Sequence, residues 1–234
     1  MYSPQPITTM SYFLKKVIPL TILFLMIAGA CKKAPAKTTE KEEEKYSVIC
    51  KEAIINGAVF KVYSRRPGNF TIVNEAQKII YQRDENPADF KIADVNGDGF
   101  PDILLEYFTN VPGVNELLVY DLKTASFKEV TDFANFPAAT RIENSDFYYS
   151  YHKSGCADSN WDSDLFKIID YKAIRFGNIR GIGCGVGEAN GIYINKVDNE
   201  KLKQIKFIPR EAGYWDGKWD FIAEYWSKNY TKFQ

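Results

Sequence analysis

From about residue 46 onward, apolar and polar positions alternate in short runs broken by turn residues, the period-two signature of half-buried β-strands. "SVICKEAII" (47–55) and "AVFKVYS" (58–64) flank Asn56-Gly57, a pair suited to the left-handed positions of a tight hairpin turn. "FTIVNE" and "KIIYQR" follow, then "FKIADV", and "DILLEYF" (102–108) after a polar break. "ELLVYDLKTASFKEV" (116–130) reads as a hairpin turning between Asp121 and Ser126. "DFYYSYHK" (146–153), "LFKIIDYKAIRFG" (165–177) and "GIYINKVDNEKLKQIKFIP" (191–209) continue the pattern, the last turning at Asp198-Asn199. The period changes only near the end, where Trp219, Ile222, Ala223, Trp226 and Tyr230 recur at helical spacing after Asp216-Gly217. The expected fold is all-β and antiparallel, propeller-like or a sandwich, with one C-terminal α-helix covering a sheet end.

One apolar run does not alternate. Lys15-Lys16 precede "VIPLTILFLMIAGA" (17–30), and Cys31 follows at once. A cationic start, a short apolar stretch and small residues at its end describe a secretory signal peptide. The run is shorter than the roughly 20 residues that span a bilayer. Residues 1–9 add nothing to this signal, so either Met1 or Met10 serves as the start. Ala28-Gly29-Ala30-Cys31 resembles a bacterial lipobox, with Ala28 where a leucine is usual, which implies lipidation at Cys31. "KKAPAKTTEKEEEK" (32–45) holds nothing that builds a core and reads as a flexible tether. Residues 1–30 are thus expected as signal peptide, 31–45 as lipidated cysteine and tether, and 46–234 as the β-rich domain. That layout belongs to the cell envelope, with the chain lipid-anchored to a bacterial membrane on its periplasmic or outer-surface face.

Composition changes this picture little. Thirty basic residues balance 30 acidic ones, and no basic stripe appears, so no nucleic-acid partner is expected. The 15 Tyr and 16 Phe suit sheet faces. Beyond Cys31 stand Cys50, Cys156 and Cys184, and export permits one disulfide with one thiol left over. Cys156 and Cys184, each in a glycine-bearing loop, are the favoured pair. His152 is the one histidine, so a Ser-His-Asp or Cys-His site would have to use it. "GIGCGVG" (181–187) lacks the lysine of a phosphate loop and reads as a turn or bulge.

The polar break holds "DVNGDGFPD", Asp94 to Asp102. Counting from Asp94, oxygen-bearing side chains fall at positions 1, 3, 5 and 9 (Asp94, Asn96, Asp98, Asp102), and Phe100 offers its carbonyl at position 7. Gly99 takes the sharp turn at position 6. This is the ligand spacing of an EF-hand-type calcium loop, since calcium takes several hard oxygen donors. Carboxylates so close would repel without a cation. Position 12 is Leu105 rather than glutamate, and both flanks are strand-like, so no helix-loop-helix is expected. The loop resembles the strand-flanked DxNGDGxxD loops of integrin α-chain and FG-GAP propeller repeats. That resemblance implies a structural Ca2+ held by Asp94, Asn96, Asp98, Phe100 and Asp102. Such a shell, filled by protein oxygens, leaves little room for a substrate. The motif occurs once, and the chain shows no internal period.

The order of calcium loop, "LLVYDLKTASF", "YSYHKSGCADSNW" and "DLFKI", over about residues 90–170, carries a wider resemblance. It is similar to bacterial envelope lipoproteins with an integrin-like calcium loop, among them immunity proteins that neutralise lysozyme-like effectors of type IV secretion systems. The Tyr-x-x-Ser-Gly element at Tyr151–Gly155 is its second piece. The resemblance implies a protein-binding inhibitor rather than an enzyme. Residues 171–234 lie outside it.

The residues themselves point to the same stretch. Tyr149, Tyr151, His152, Lys153, Ser154, Gly155 and Trp161 gather around one glycine-bearing loop, and Tyr, Trp and cations are favoured at protein interfaces. A small Ser-Gly tip suits a glycosidase cleft, with Lys153 facing its carboxylates. Two other classes stay open: a hydrolase drawing an acid pair from Asp158, Asp162 and Asp164, and a purely structural or adhesive envelope module.

Overall fold

A computed structural model of the chain describes residues 47–199 and 201–234. The signal peptide, Cys31 and the tether lie outside the described residues.

The first sheet is a meander of β1 (Ser47–Ile55), β2 (Ala58–Arg66), β3 (Phe70–Val73) and β4 (Ile79–Arg83), paired in chain order. Asn56 (φ 50°) and Gly57 (φ 81°) form its first turn, with Ile55 opposite Ala58. The second sheet repeats the plan with β5 (Asp89–Ala93), β6 (Asp102–Glu106), β7 (Asn115–Asp121) and β8 (Ser126–Glu129). The third is larger. It contains β9 (Thr140–Arg141), β10 (Phe147–Tyr149), β11 (His152–Gly155), β12 (Asn160–Ile169), β13 (Lys172–Ile182), β14 (Gly191–Asp198) and β15 (Lys201–Pro209). Its order is β15-β14-β13-β12-β10-β9, and β11 also pairs with β12. One α-helix, α1 (Lys218–Asn229), comes last. Every strand pair is antiparallel, so the all-β expectation holds. The form is sandwich-like, without a closed barrel. Among the described residues no helix is long and apolar enough to cross a membrane.

Side-chain alternation explains the layering. Along β7, Leu118 and Tyr120 join Val62, Phe70 and Ile72 of the first sheet in one core. Leu117 and Val119, pointing the other way, join Phe133, Phe136 and Phe166 in a second. Strand β7 is therefore covered on both faces, and "ELLVYD" reads as a nearly unbroken apolar run for that reason. A third core lies beyond, where Leu165, Ile179 and Ile194 of the third sheet receive Ile222 and Trp226 of α1. Trp226 donates its indole N–H to Ser163 Oγ at 2.8 Å, which satisfies both buried groups.

Two sequence expectations change here. Trp219 stands at helical spacing with Ile222 and Trp226, yet it is 48% exposed. The helix buries a narrower stripe than the aromatic spacing suggested, and Trp219 turns towards Tyr151 instead. "DFYYSYHK" reads as one strand but divides into β10 and β11. Ser150 causes the break, because its Oγ accepts the Asp164 N–H at 3.0 Å while its own N–H donates to the Asp164 carbonyl at 2.9 Å.

Leu118 is wholly buried between the first two sheets, whereas Leu202 on β15 is 46% exposed. Leu118→Ala is expected to cost about 2–5 kcal/mol in urea unfolding. Leu202→Ala should stay within about 0.5 kcal/mol of the parent. Equal effects would contradict the layer assignment.

Candidate functional site

The nine-residue loop joins β5 to β6 and is drawn in by its own carboxylates. Asp94 Oδ1 accepts the N–H groups of Gly97 at 2.6 Å and Asp98 at 3.2 Å, and its Oδ2 accepts that of Gly99 at 3.0 Å. Asn96 Nδ2 donates to Asp98 Oδ2 at 2.9 Å, and Phe100 N–H donates to Asp98 Oδ1 at 2.8 Å. Gly97 (φ 75°) and Gly99 (φ 88°) take the left-handed conformations the turn requires. Gly97 has a second reason to lack a side chain, since the Arg141 guanidinium from β9 fills the space a Cβ would need.

Asp102 differs from the rest of the loop. It is fully buried at the start of β6. Its Oδ2 accepts the N–H groups of Val95 at 3.1 Å and Asn96 at 3.2 Å, and its Oδ1 accepts that of Tyr120 on β7 at 3.3 Å. Burial pushes this carboxyl up to about 7, with the Asp98 charge adding to the rise and the three amides opposing it. The donors are hard oxygens of the kind calcium takes, and a buried carboxylate beside a second one is a place where a cation relieves repulsion. The residues present therefore fit a calcium ion in chemistry. Among the described residues, however, no three His, Cys, Asp or Glu side chains are already gathered as a metal shell; the loop carboxylates bond backbone amides and the Asn96 side chain.

The aromatic stretch forms a second, separate feature. Lys153, Ser154, Gly155, Cys156 and Ala157 are exposed, while Tyr151 and His152 are half-buried at their base. Cys156 (φ 49°), Ala157 (φ 48°) and Asp158 (φ 67°) are three consecutive left-handed residues without a glycine among them. Each such residue costs about 1–2 kcal/mol, so the turn needs outside support.

That support comes from three sides. Cys156 is joined to Cys184 by a disulfide, with the Cα atoms 6.1 Å apart. The side chain of Asn160 holds the far end, its Oδ1 accepting the N–H groups of Gly183 and Cys184, each at 3.0 Å. Tyr151 donates its hydroxyl to Asp158 Oδ1 at 2.5 Å, and Lys218 at the start of α1 bonds Asp158 Oδ2 at 2.6 Å and the Asp158 carbonyl at 3.1 Å. Lys218 is wholly buried, with its ammonium 4.2 Å from the Tyr214 ring centre and 5.3 Å from that of Trp219. Burial, then the hydrogen bond and charge of Asp158, push the Tyr151 phenol well above its ordinary range, so it remains a donor.

The remaining expected residues fall elsewhere. Trp161 is 2% exposed, and its indole lies where a Cβ on Gly181 would stand; it is a core residue and no part of the surface. His152 pairs with Asp162 across β11 and β12, and its Nδ1 is buried without a hydrogen-bond partner among the described residues. Asp162 and Asp164 converge on Asn178 Nδ2, at 3.3 and 2.9 Å. Asp164 is 1% exposed and ion-paired with Arg175 at 2.9 Å, which leaves this acid pair closed to a substrate. Asp158 is held by Lys218. No described cysteine is free, Cys50 included, so the expected left-over thiol is absent among the described residues. Lys218 escapes sequence reasoning, since a lysine near a helix start normally reads as solvated; its aromatic neighbours Tyr214, Trp215 and Trp219 are the available signal.

No family model matches this chain, and no curated protein matches it. Among solved structures, a Xanthomonas type IV secretion system related protein is similar over 74% of this chain and 100% of its own, at 14% identity and a TM-score of 0.46. A likeness of that strength transfers neither fold nor function.

Lys218→Met keeps the buried stem but strips Asp158 of its cation. It is expected to cost about 3 kcal/mol in urea unfolding. Lys228→Met removes an exposed partner of Glu224 on the same helix and should leave the urea midpoint essentially unchanged. A Lys218 variant as stable as the parent would contradict this support of the turn.

Proposed function

We propose that this chain is a non-enzymatic, calcium-stabilised envelope lipoprotein, anchored through Cys31, that binds another macromolecule. In its sharpest form it is an inhibitor or immunity protein against a peptidoglycan-cleaving, lysozyme-like enzyme. The observation that carries this reading is the exposed turn Lys153–Ala157, held in one conformation from below by Tyr151, Asp158 and Lys218. A turn ordered before binding has less entropy to lose on association. Its tip is small and its one charge is positive, which complements a cleft built around the two carboxylates of a glycoside hydrolase. Tyr214 and Trp219, 53% and 48% exposed, stand beside the turn's anchor and supply the aromatic contacts that interfaces favour.

In the same reading calcium is the cation of Asp94, Asn96, Asp98, the Phe100 carbonyl and Asp102. Its role is to neutralise the loop and fix the start of β6, and no chemical step is assigned to it.

The inhibitor form is tested by adding purified protein to a panel of lysozymes and other peptidoglycan hydrolases. Inhibition of at least one is expected, weakened more than about tenfold by Lys153→Glu at an unchanged melting temperature. Absence of inhibition across the panel would overturn this form.

Calcium is tested separately by thermal melting. At 100 times its Kd the ion adds about 2.7 kcal/mol, so chelator should lower the melting temperature of the parent. Asp98→Ala should abolish most of that response. A parent indifferent to chelator would remove calcium from the account.

A further inference from the structure

A cavity of about 490 Å³ opens beside the nine-residue loop, between the end of β7 and the β12–β13 turn. It is distinct from the Lys153–Ala157 turn, and it borders the nine-residue loop through Asn96 and Asp98, two of the residues assigned to calcium above. Its size falls within the range of small-molecule sites. Part of the wall is apolar or aromatic, from Val119, Ile168, Tyr148 and Tyr171. Leu122 lies on this wall at 51% exposure, an apolar side chain left facing water.

The polar part of the wall decides what chemistry fits. Carboxylates come from Asp98, Asp121, Asp146 and Asp170, and an ammonium from Lys123. Two carboxylates already have cations of their own: Lys128 lies 2.5 Å from Asp121, and Lys167 lies 2.9 Å from Asp146. With Asp98 given to calcium, three carboxylates meet three ammoniums; without calcium, four meet three, and in both cases the field of the cavity is too nearly balanced to select a polycation. The Asn96 amide is already paired both ways with Asp98, so what remains is a wall of acceptor-only carboxylates and a donor-only ammonium against an apolar side. An amine can only donate and an anion can only accept, whereas a hydroxyl does both. Hydroxyl-to-carboxylate hydrogen bonds are also among the stronger kind.

We infer that this cavity binds a neutral, hydroxyl-rich ligand, a sugar unit, with its hydroxyls on Asp146, Asp170 and Lys123 and its carbon face towards Leu122 and Tyr171. The site is independent of the inhibitor reading and survives its failure.

The test is a heteronuclear NMR titration of the mature, full-length protein with three neutral disaccharides: the N-acetylglucosamine disaccharide, cellobiose and maltose. Spermidine serves as the cationic comparator. Saturable shifts confined to cavity residues are expected with at least one disaccharide. Asp146→Asn with Asp170→Asn should weaken that binding about tenfold, the effect of exchanging charged for neutral hydrogen-bond acceptors. Asn tolerates the left-handed conformation of residue 170 (φ 50°), so the turn is kept. Leu122→Trp, at an exposed position that leaves the core intact, should block binding by filling the cavity. Three results would each overturn the inference. They are no saturable shift with any disaccharide, shifts that map away from the cavity, and spermidine binding more tightly than every sugar.

Discussion

A strand buried on both faces has no side on which to place polar side chains, and β7 is that strand in the second sheet. It sends Leu118 and Tyr120 into one core and Leu117 and Val119 into the next. The first and third sheets are held by these two faces, and polar chemistry is displaced to strand ends and turns. Asp102, like Asp121 a buried carboxylate of this sheet, shapes one of those ends. Buried at the first position of β6, its carboxylate is tolerable because Val95, Asn96 and Tyr120 each donate an N–H to it. The position of the nine-residue loop therefore follows from the core beneath it. The same amide bonds that make the burial affordable tie that loop to β7.

The third sheet solves a different problem at its far edge. Its outer face needs a cover, and α1 provides one through Ile222 and Trp226. The first residue of that helix, Lys218, is buried with it and finds its counter-charge in Asp158. A packing requirement thereby fixes a surface turn. Three left-handed residues would not persist on a free loop, but here the disulfide, Tyr151 and Lys218 hold them together. The exposed tip inherits its order from the helix and the core.

Much of this was legible in the sequence, for physical reasons that can be named. Alternation reports burial directly, so the hairpins at Asn56-Gly57 and between Asp121 and Ser126 were readable. The apolar spacing of Ile222 and Trp226 likewise marked the helix. The loop at Asp94–Asp102 was visible because turn chemistry is local: its oxygens and glycines lie within nine residues. Long-range choices were not legible. Trp161 reads as a surface aromatic until Gly181, on the neighbouring strand, is found to leave room for its ring. Lys218 reads as solvated until Asp158, sixty residues away in sequence, is placed against it. The division of "DFYYSYHK" depends on Ser150 meeting Asp164, which no local pattern encodes.

Held from three sides, the turn after β11 should be rigid before it meets any partner. Backbone order parameters from nitrogen-15 relaxation of residues 153–158 measure this most directly. Values of about 0.85 are expected, matching those of the neighbouring strands β12 and β13. Values below about 0.6 across the turn would show a flexible loop, and would contradict the claim that helix, disulfide and Asp158 hold it in one conformation.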